Sequence, residues 1–357
     1  MRLCSIGAEG MLMPRNIILA AACFGSLFLA GSQPVLAQDA TGFQAYLPQL
    51  RAAALADGVS AQTLDRVLPT LEFSETAISI DQRASGGGGS GPIPMFTGSD
   101  EQRAIVGKAG PGRDKYRQLQ PQLDQIEREL GVPPGIILAI YGKESNFGSY
   151  TGNFDTIGAL ATLAYEGRRR ALFESEAVAA LKMVDRGVPR YKLTGSWAGA
   201  MGKPQFLPSV YLRLAVDEDR DGFADIWDSE ADAMASIANY LVAAGWRRDR
   251  PWGVAVDVPS GFDRQAYRNK TVPTRCPRVF ERHSRWMTLA EWDRLGFRAQ
   301  QGYWPQEKEQ ILATLLEPDG PGNTAYLLTQ NYRAILDYNC SNFYAMGVGL
   351  LASQIQP

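Results

Sequence analysis

GVPPGIILAIYGKESNFG, residues 131–148, decides how the chain is read. Pro133 and Pro134 suit the first turn of a helix, where no backbone N–H donor is required, and Ile136 to Tyr141 fill its body. Gly148 can end the helix in the left-handed conformation that glycine adopts without a side-chain clash. Counting back from Glu144 by three, four and seven residues reaches Tyr141, Ile140 and Ile137, so the carboxylate lies on the apolar stripe of its own helix while Lys143 points elsewhere. A carboxylate in that place loses hydration and faces the negative end of the helix dipole, and both effects favour the protonated acid. Those are the conditions for a general acid at neutral pH; the alternative is a partly exposed glutamate paired with an arginine. Asp155, eleven residues on, reads as a loop or cap residue.

The flanking sequence is helical too. Phe43 to Leu71 carries Leu47, Leu50, Ala54 and Leu55 on one stripe, with Ser60 as an N-cap for a second short unit. From about Lys115, the residues Tyr116, Leu119, Leu123, Ile126 and Leu130 repeat at helical spacing until Gly131. Further helices are expected near 171–185, 230–244 and 323–337. Strand-like alternation is confined to Gly253–Val258 and a few residues near 190–197, so the fold class is mainly α with a small β component. Residues 85–92, SGGGGSGP, lose so much backbone entropy on ordering that 84–99 reads as a flexible linker or loop. It would divide a helical lead-in, 38–83, from a core over 100–357.

Composition narrows the chemistry. The 357 residues include 36 Lys+Arg and 38 Asp+Glu, a net charge of −2, which gives no general attraction to nucleic acid or anionic lipid. The single histidine, His283, excludes multi-histidine metal centres, and its neighbours Arg282, Ser284 and Arg285 point to a solvated or structural role. Residues 1–37 read as a secretion signal: Arg15, an apolar run from Ile17 to Ala30, then Val35-Leu36-Ala37 before the cut. The run is short for a membrane span, and Cys23 lies inside it, so no lipid anchor is expected there. Export would leave Cys276 and Cys340 in an oxidising compartment, where they either form one disulfide closing a loop of about 64 residues, worth about 2 to 4 kcal/mol, or stay as two buried thiols.

Residues 217–228, DEDRDGFADIWD, set Asp217, Asp219, Asp221, Asp225 and Asp228 at loop positions 1, 3, 5, 9 and 12, with Gly222 at position 6 and the Phe223 carbonyl at 7. Clustered carboxylates repel one another unless a cation sits among them, so this EF-hand-like loop suggests a structural calcium or sodium ion. Asp228 stands where a longer glutamate is usual, which shortens its reach. The alternative is a solvated acidic turn.

The 131–148 stretch, with Glu-Ser-Asn-Phe-Gly at 144–148, resembles the catalytic segment of lytic transglycosylases with a lysozyme-like fold. GSWAGAMGKPQFLPS at 195–209 narrows the resemblance to the lytic murein transglycosylase B family. GNFDTIGALATLAYEGRRRALF at 152–173, ANYLVAAGW at 238–246 and NYRAILDYNCSNFYAMGVGLLA at 331–352 support it, so that the likeness covers nearly all of the chain after the leader. The resemblance implies a lysozyme-like α+β core and cleavage of the β-1,4 bond between N-acetylmuramic acid and N-acetylglucosamine in peptidoglycan, without water, leaving a 1,6-anhydro end. It implies Glu144 as the one acid and base, with no catalytic cofactor. Ser196 would hold the N-acetyl group, Gln205 would line the sugar subsites, and Ser145 and Asn146 would lie beside the sugar. Arg168 and Arg169 would meet a peptide stem or sugar carboxylate, unless they are the solvated start of a basic helix. Tyr338 and Asn339 match a pair close to the glutamate; Tyr240 and Tyr344 are either sugar contacts or core aromatics. Lys203-Pro204 departs from the family, whose members usually carry polar or small residues there. The implied partners are glycan strands in the periplasm. A muramidase, a non-catalytic wall-binding protein and a calcium-dependent adaptor are the competing readings.

Overall fold

The computed structural model describes residues 39–86, 95–271 and 273–356. The expected leader and the 87–94 part of the glycine-rich tract lie outside the described residues. The lead-in comprises α1 (Ala40–Ala56), α2 (Ala61–Val67) and α3 (Glu75–Gly86), the last running into the segment expected to be a linker. Beyond the tract, Phe96 is buried, so the linker is ordered at both described ends.

Next come α4 (Asp100–Leu130), α5 (Pro134–Ser145), β1 (Phe154–Asp155), α6 (Thr156–Glu166), α7 (Arg170–Asp185), β2 (Thr194–Gly195), α8 (Pro208–Leu214) and α9 (Glu230–Ala243). The helix α4 begins fifteen residues before the expected Lys115, capped by the Ser99 hydroxyl accepting from Gln102 N at 3.2 Å. Gly107, Gly110, Pro111 and Gly112 hide its first half from a periodicity reading. The structure supplies the reason for one of them: a Cβ on Gly112 would come within 2.5 Å of Ile355 Cδ1, so any larger residue there would push the Ile355 side chain of α13 aside.

The remaining elements are β3 (Gly253–Asp257), α10 (Pro277–Phe280), β4 (Met287–Thr288), α11 (Leu289–Arg294), β5 (Arg298–Ala299), β6 (Leu312–Leu316), β7 (Ala325–Thr329), α12 (Gln330–Tyr338) and α13 (Asn342–Ile355). Five strands form an antiparallel sheet in the order β4-β6-β7-β3-β5. In its register Leu327 pairs with Val254 on one side and Leu315 on the other. The helix expected over 323–337 is therefore a strand followed by a helix. A central strand buried on both faces reads as an unbroken apolar run, and Ala325-Tyr326-Leu327-Leu328 cannot be told from a helix by period alone.

Three hydrophobic cores result: one around α4, α5, α9, α12 and α13, a second around α1, α2, α6 and α7, and a third under the sheet. Tyr338 packs against the first two. A disulfide joins Cys276 to Cys340, with Cα atoms 5.2 Å apart, tying the start of α10 to the end of α12. His283 is buried, only 2% exposed, between Thr314 Oγ1 at 2.8 Å and Asn342 Oδ1 at 2.9 Å. Burial lowers its pKa to about 4, so it is a neutral core residue and not a solvated one, whatever its sequence neighbours suggest.

Candidate active site

The helix α5 is buried on every side from Pro134 to Gly142, enclosed by α4, α9 and α13. Each buried leucine or isoleucine on it contributes about 1.5–3 kcal/mol, enough to hold an unfavourable C-terminus in place. A helix buried all round has no polar face. The single-stripe reading that set Lys143 apart therefore fails: its side chain is 8% exposed, ion-paired with Glu101 of α4.

The end of α5 differs from expectation as well. Asn146, Phe147 and Gly148 are all left-handed, at φ 49°, 57° and 80°, where Gly148 alone was expected. For phenylalanine that conformation costs about 1 kcal/mol or more. Its ring is held edge-on to Tyr141, with centroids 5.9 Å apart, over Gly142, where a Cβ would approach the ring to 2.6 Å. The buried Ser145 hydroxyl donates to Tyr141 O at 3.3 Å and accepts from Gly148 N at 3.1 Å. Asn146 is exposed, its Oδ1 accepting from Lys108 Nζ at 2.8 Å and its Nδ2 donating to Ser149 Oγ at 2.9 Å. Both residues thus brace the turn that follows the glutamate.

Glu144 keeps a partial opening to solvent while most of its surroundings are protein. Tyr344, from the first turn of α13, donates to Glu144 Oε1 at 2.5 Å. Burial raises the Glu144 pKa to about 6; the Tyr344 hydrogen bond and the Lys143 ammonium oppose the rise and Glu101 adds to it. Tyr338 and Tyr344 are pushed well above the ordinary tyrosine range, first by burial and then by the Glu144 charge, so both stay protonated donors. Tyr338 donates to Pro204 O at 2.6 Å and lies 4.6 Å, centroid to centroid, from Tyr240, whose hydroxyl donates to Asp337 O at 2.7 Å. Asn339 caps α12 and is exposed.

The loop from Gly195 to Phe206 is folded back on itself through Gly199, Gly202 and a left-handed Gln205. Ser196 Oγ accepts from Ala200 N at 3.0 Å. Gln205 Nε2 donates to Thr151 O at 3.1 Å, joining this loop to the segment after the turn that follows Glu144. The divergent pair Lys203-Pro204 has a definite place: the Lys203 ammonium donates to Trp227 O, the Lys203 stem lies against Gly148, and the Pro204 carbonyl receives Tyr338. Lys203 is thus a strut between the glutamate's turn and the acidic loop.

Arg168 and Arg169 stand apart from this constellation as paired partners of Asp81, a fully buried aspartate of α3. Each stays partly exposed, but the planar donors expected for a ligand carboxylate are directed at least in part to the chain's own. Asp155 caps α6 through Ile157 N at 3.2 Å and pairs with Arg190 at 2.7 Å, the cap role expected of it.

In the acidic loop the structure divides the expected ligand set. Carboxylate oxygens of Asp217, Asp219 and Asp221 lie within 4.8 Å of one another. Asp225 and Asp228 instead hold the Lys192 ammonium, at 2.7 and 2.6 Å, so one lysine already offsets half of the charge at positions 9 and 12. The anchor that sequence reading missed is Asp232: buried on α9, it accepts from the backbone of Glu218, Asp219 and Asp225 at 2.7–3.3 Å. Its position beyond the twelve-residue pattern gave no signal. Cavities of about 370 and 430 Å³ beside the sheet are lined by none of the predicted site residues.

Comparison with known proteins bears on this arrangement. The transglycosylase SLT domain profile matches residues 42–353. The chain is 32% identical over 247 residues to the membrane-bound lytic murein transglycosylase B of Escherichia coli, covering 67% of this chain and 62% of that protein. SltB3 of Pseudomonas aeruginosa, solved in complex with NAG-NAM-pentapeptide, is 36% identical with a TM-score of 0.75, over 88% of this chain and 79% of that one. The Escherichia coli lytic transglycosylase Slt35, solved in complex with calcium, is 26% identical with a TM-score of 0.67, over 89% and 93%. A family match running from the first described helix to the last shows that the chain belongs to the transglycosylase SLT domain family.

Proposed function

We propose that this chain is a peptidoglycan lytic transglycosylase with Glu144 as its single acid and base. The observation that carries the reading is a glutamate with its pKa raised by burial to about 6, touched by one tyrosine donor and open to solvent on one side. At neutral pH such a group is protonated in a useful fraction of molecules, yet basic enough as an anion to take the proton back.

Glu144 gives its proton to the glycosidic oxygen as the C1–O bond of the N-acetylmuramic acid breaks, and the sugar's own N-acetyl oxygen bonds to C1. The C6 hydroxyl then displaces that oxygen and returns its proton to Glu144, closing the 1,6-anhydro ring. Ser196, which accepts from Ala200 N, keeps its O–H to orient the N-acetyl group. Tyr344 steadies the Glu144 anion between the two steps. Tyr338 and Tyr240, packed ring to ring, and Gln205 would line the sugar subsites, with the exposed Asn339 beside them. The rival carboxylates are engaged elsewhere, Glu101 with Lys143 and Asp155 with Arg190, in keeping with a one-carboxylate route rather than the paired carboxylates of ordinary glycosidases.

Supporting the substrate class, the SltB3 structure named above holds a NAG-NAM-pentapeptide. Glycan strands lie outside the cytoplasm, in keeping with the leader expected at residues 1–37; among the described residues no helix is long and apolar enough to cross a membrane.

The acidic loop would hold calcium through Asp217, Asp219, Asp221 and the Phe223 carbonyl. Oxygens on opposite sides of a calcium ion are about 4.8 Å apart, twice a typical ligand distance, so the three carboxylates have the right spread. An ion there supplies charge neutralisation and stiffness, and Lys203 links the loop to the catalytic turn.

Digestion of purified sacculi followed by muropeptide analysis tests the function. Anhydro-muramic ends in products from wild type, absent with Glu144→Gln, are expected. Reducing ends would show a muramidase, and sacculus binding without any product a wall-binding protein.

A further inference from the structure

We propose that Glu101 and Lys143 are positioning residues that set the proton affinity of Glu144 and hold Tyr344 against it, an inference that rests on Glu144 being the general acid. Lys143 lies in the 131–148 stretch but has no role in its reading, Glu101 lies outside every family motif, and the two come from different helices.

Lys143 precedes Glu144 on α5, and its ammonium lies 5.0 Å from the centre of the Tyr344 ring, the same ring whose hydroxyl donates to Glu144. A cation over a tyrosine ring is attracted to the π face. On its other side the ammonium is ion-paired with Glu101, in the first turn of α4. A lysine this enclosed is seldom tolerated without a partner. Space for the pair is left by Gly347, three residues after Tyr344 on α13: a Cβ there would stand 3.0 Å from Lys143 Nζ and 3.3 Å from a Glu101 oxygen. A glycine inside a helix is less favourable than alanine, so α13 bears a local cost at the point where the ion pair presses against it.

The titratable groups that act on Glu144 come from four helices, Glu101 of α4, Lys143 of α5, Tyr338 of α12 and Tyr344 of α13, while Lys108 of α4 acts on Lys143 and Glu101. The two tyrosines stay neutral, and Lys108 is turned to Asn146. What remains is a near neighbour of each sign. The ammonium favours the ionised carboxylate and would make Glu144 too strong an acid; Glu101 offsets it and leaves burial in control. The ion pair also fixes the ring that carries the donor.

The test measures the Glu144 carboxyl by carbon-13 NMR titration in protein labelled at glutamate, together with the pH profile of anhydro-muropeptide release. With Glu101→Gln the Lys143 charge is uncompensated, and the Glu144 midpoint and the alkaline limb of activity should both move down by about half to one pH unit. With Lys143→Met they should move up by a similar amount, and the double variant should return near wild type. Midpoints unmoved in both single variants, or moved in the same direction, overturn the proposal. Should one variant fail to fold by circular dichroism, the sign of the shift in the other still decides. If wild type releases no anhydro products, the functional reading fails separately, because the NMR midpoints still report whether the pair tunes the carboxyl.

Discussion

The end of α5 and the acidic loop treat a carboxylate in opposite ways. Asp225 is also enclosed, and burial alone would raise its pKa; instead the Lys192 hydrogen bond and the N–H groups of Asp228 and Trp227 bring it below the usual aspartate range. Glu144 has one tyrosine hydroxyl and a cation already shared with Glu101, and burial wins. Burial is common to both places, so the number of donors aimed at the oxygens decides which group stays charged. In the loop the donors come from the tight backbone turns of residues 217–228. At the helix end the donor to the carboxylate is the Tyr344 hydroxyl, while the three left-handed residues that follow α5 are engaged with Ser145, Tyr141 and Lys108.

The largest effect that would break this contrast is catalytic. Glu144→Gln preserves shape and removes the transferable proton, so turnover of sacculi should fall by at least about 10³-fold, since in the proposed route one group serves both proton transfers. Binding to sacculi should persist. A residual rate within tenfold of wild type would mean that some other group does the chemistry and that the raised pKa is incidental.

A smaller effect sharpens the comparison, because like substitutions should act with opposite sign on stability. The Glu144 pKa is raised from 4.5 to about 6, so the stability it contributes is full below pH 4.5 and is lost as pH rises through 6. That amounts to about 2 kcal/mol at pH 8. Glu144→Gln should therefore be more stable than wild type at pH 8 by up to about 2 kcal/mol, with the gain gone at pH 4. Asp225→Asn leaves Lys192 with one partner fewer and weakens acceptance from two amides, and should lose about 1–3 kcal/mol at pH 8. Urea unfolding at the two pH values measures both, and the same sign for the two variants would remove donor count as the cause.

The contrast was half legible in the sequence. Glu144 could be found because the residues three, four and seven before it are apolar, and the resemblance of 131–148 and 195–209 to one family supplied its neighbours. The loop could be found from its repeating aspartates. What one dimension could not give were contacts between distant segments. Lys143 reads only as pointing away from the stripe of Glu144 until Glu101, forty-two positions earlier, is placed beside it. Arg168 and Arg169 read as a ligand fork until Asp81 appears between them. Lys192 lies twenty-five residues before the loop whose outer aspartates it holds. The sheet was nearly invisible for another reason: a strand such as β7, buried on both faces, carries no alternation, and β4, β5 and the paired β1–β2 are two residues each. The first half of α4 was hidden by three glycines and a proline, of which Gly112 packs closely against Ile355 of α13, and packing partners are not written beside the residues that need them.

The smallest effect concerns the inner half of the loop. Asp217, Asp219 and Asp221 lack the lysine that pairs with Asp225 and Asp228, and instead accept from the amides of Asp221, Gly222 and Phe223 and from Ser229. Those amides orient the carboxylates without cancelling their mutual repulsion, which a divalent ion would relieve. At a calcium concentration about tenfold above its dissociation constant, the gain is about 1.4 kcal/mol, or a rise in Tm of a few degrees for a protein of this size. The expected result is that millimolar calcium raises the Tm of wild type and leaves Asp217→Ala where it was, with magnesium less effective because it demands a tighter octahedral set of ligands. Because Lys203 ties this loop to the turn that carries Glu144, calcium should also steepen the unfolding transition measured by tryptophan fluorescence at Trp227. Equal Tm values with and without calcium in both proteins would mean that backbone amides and Lys192 suffice, and that the loop is a turn held by the chain's own groups like its outer half.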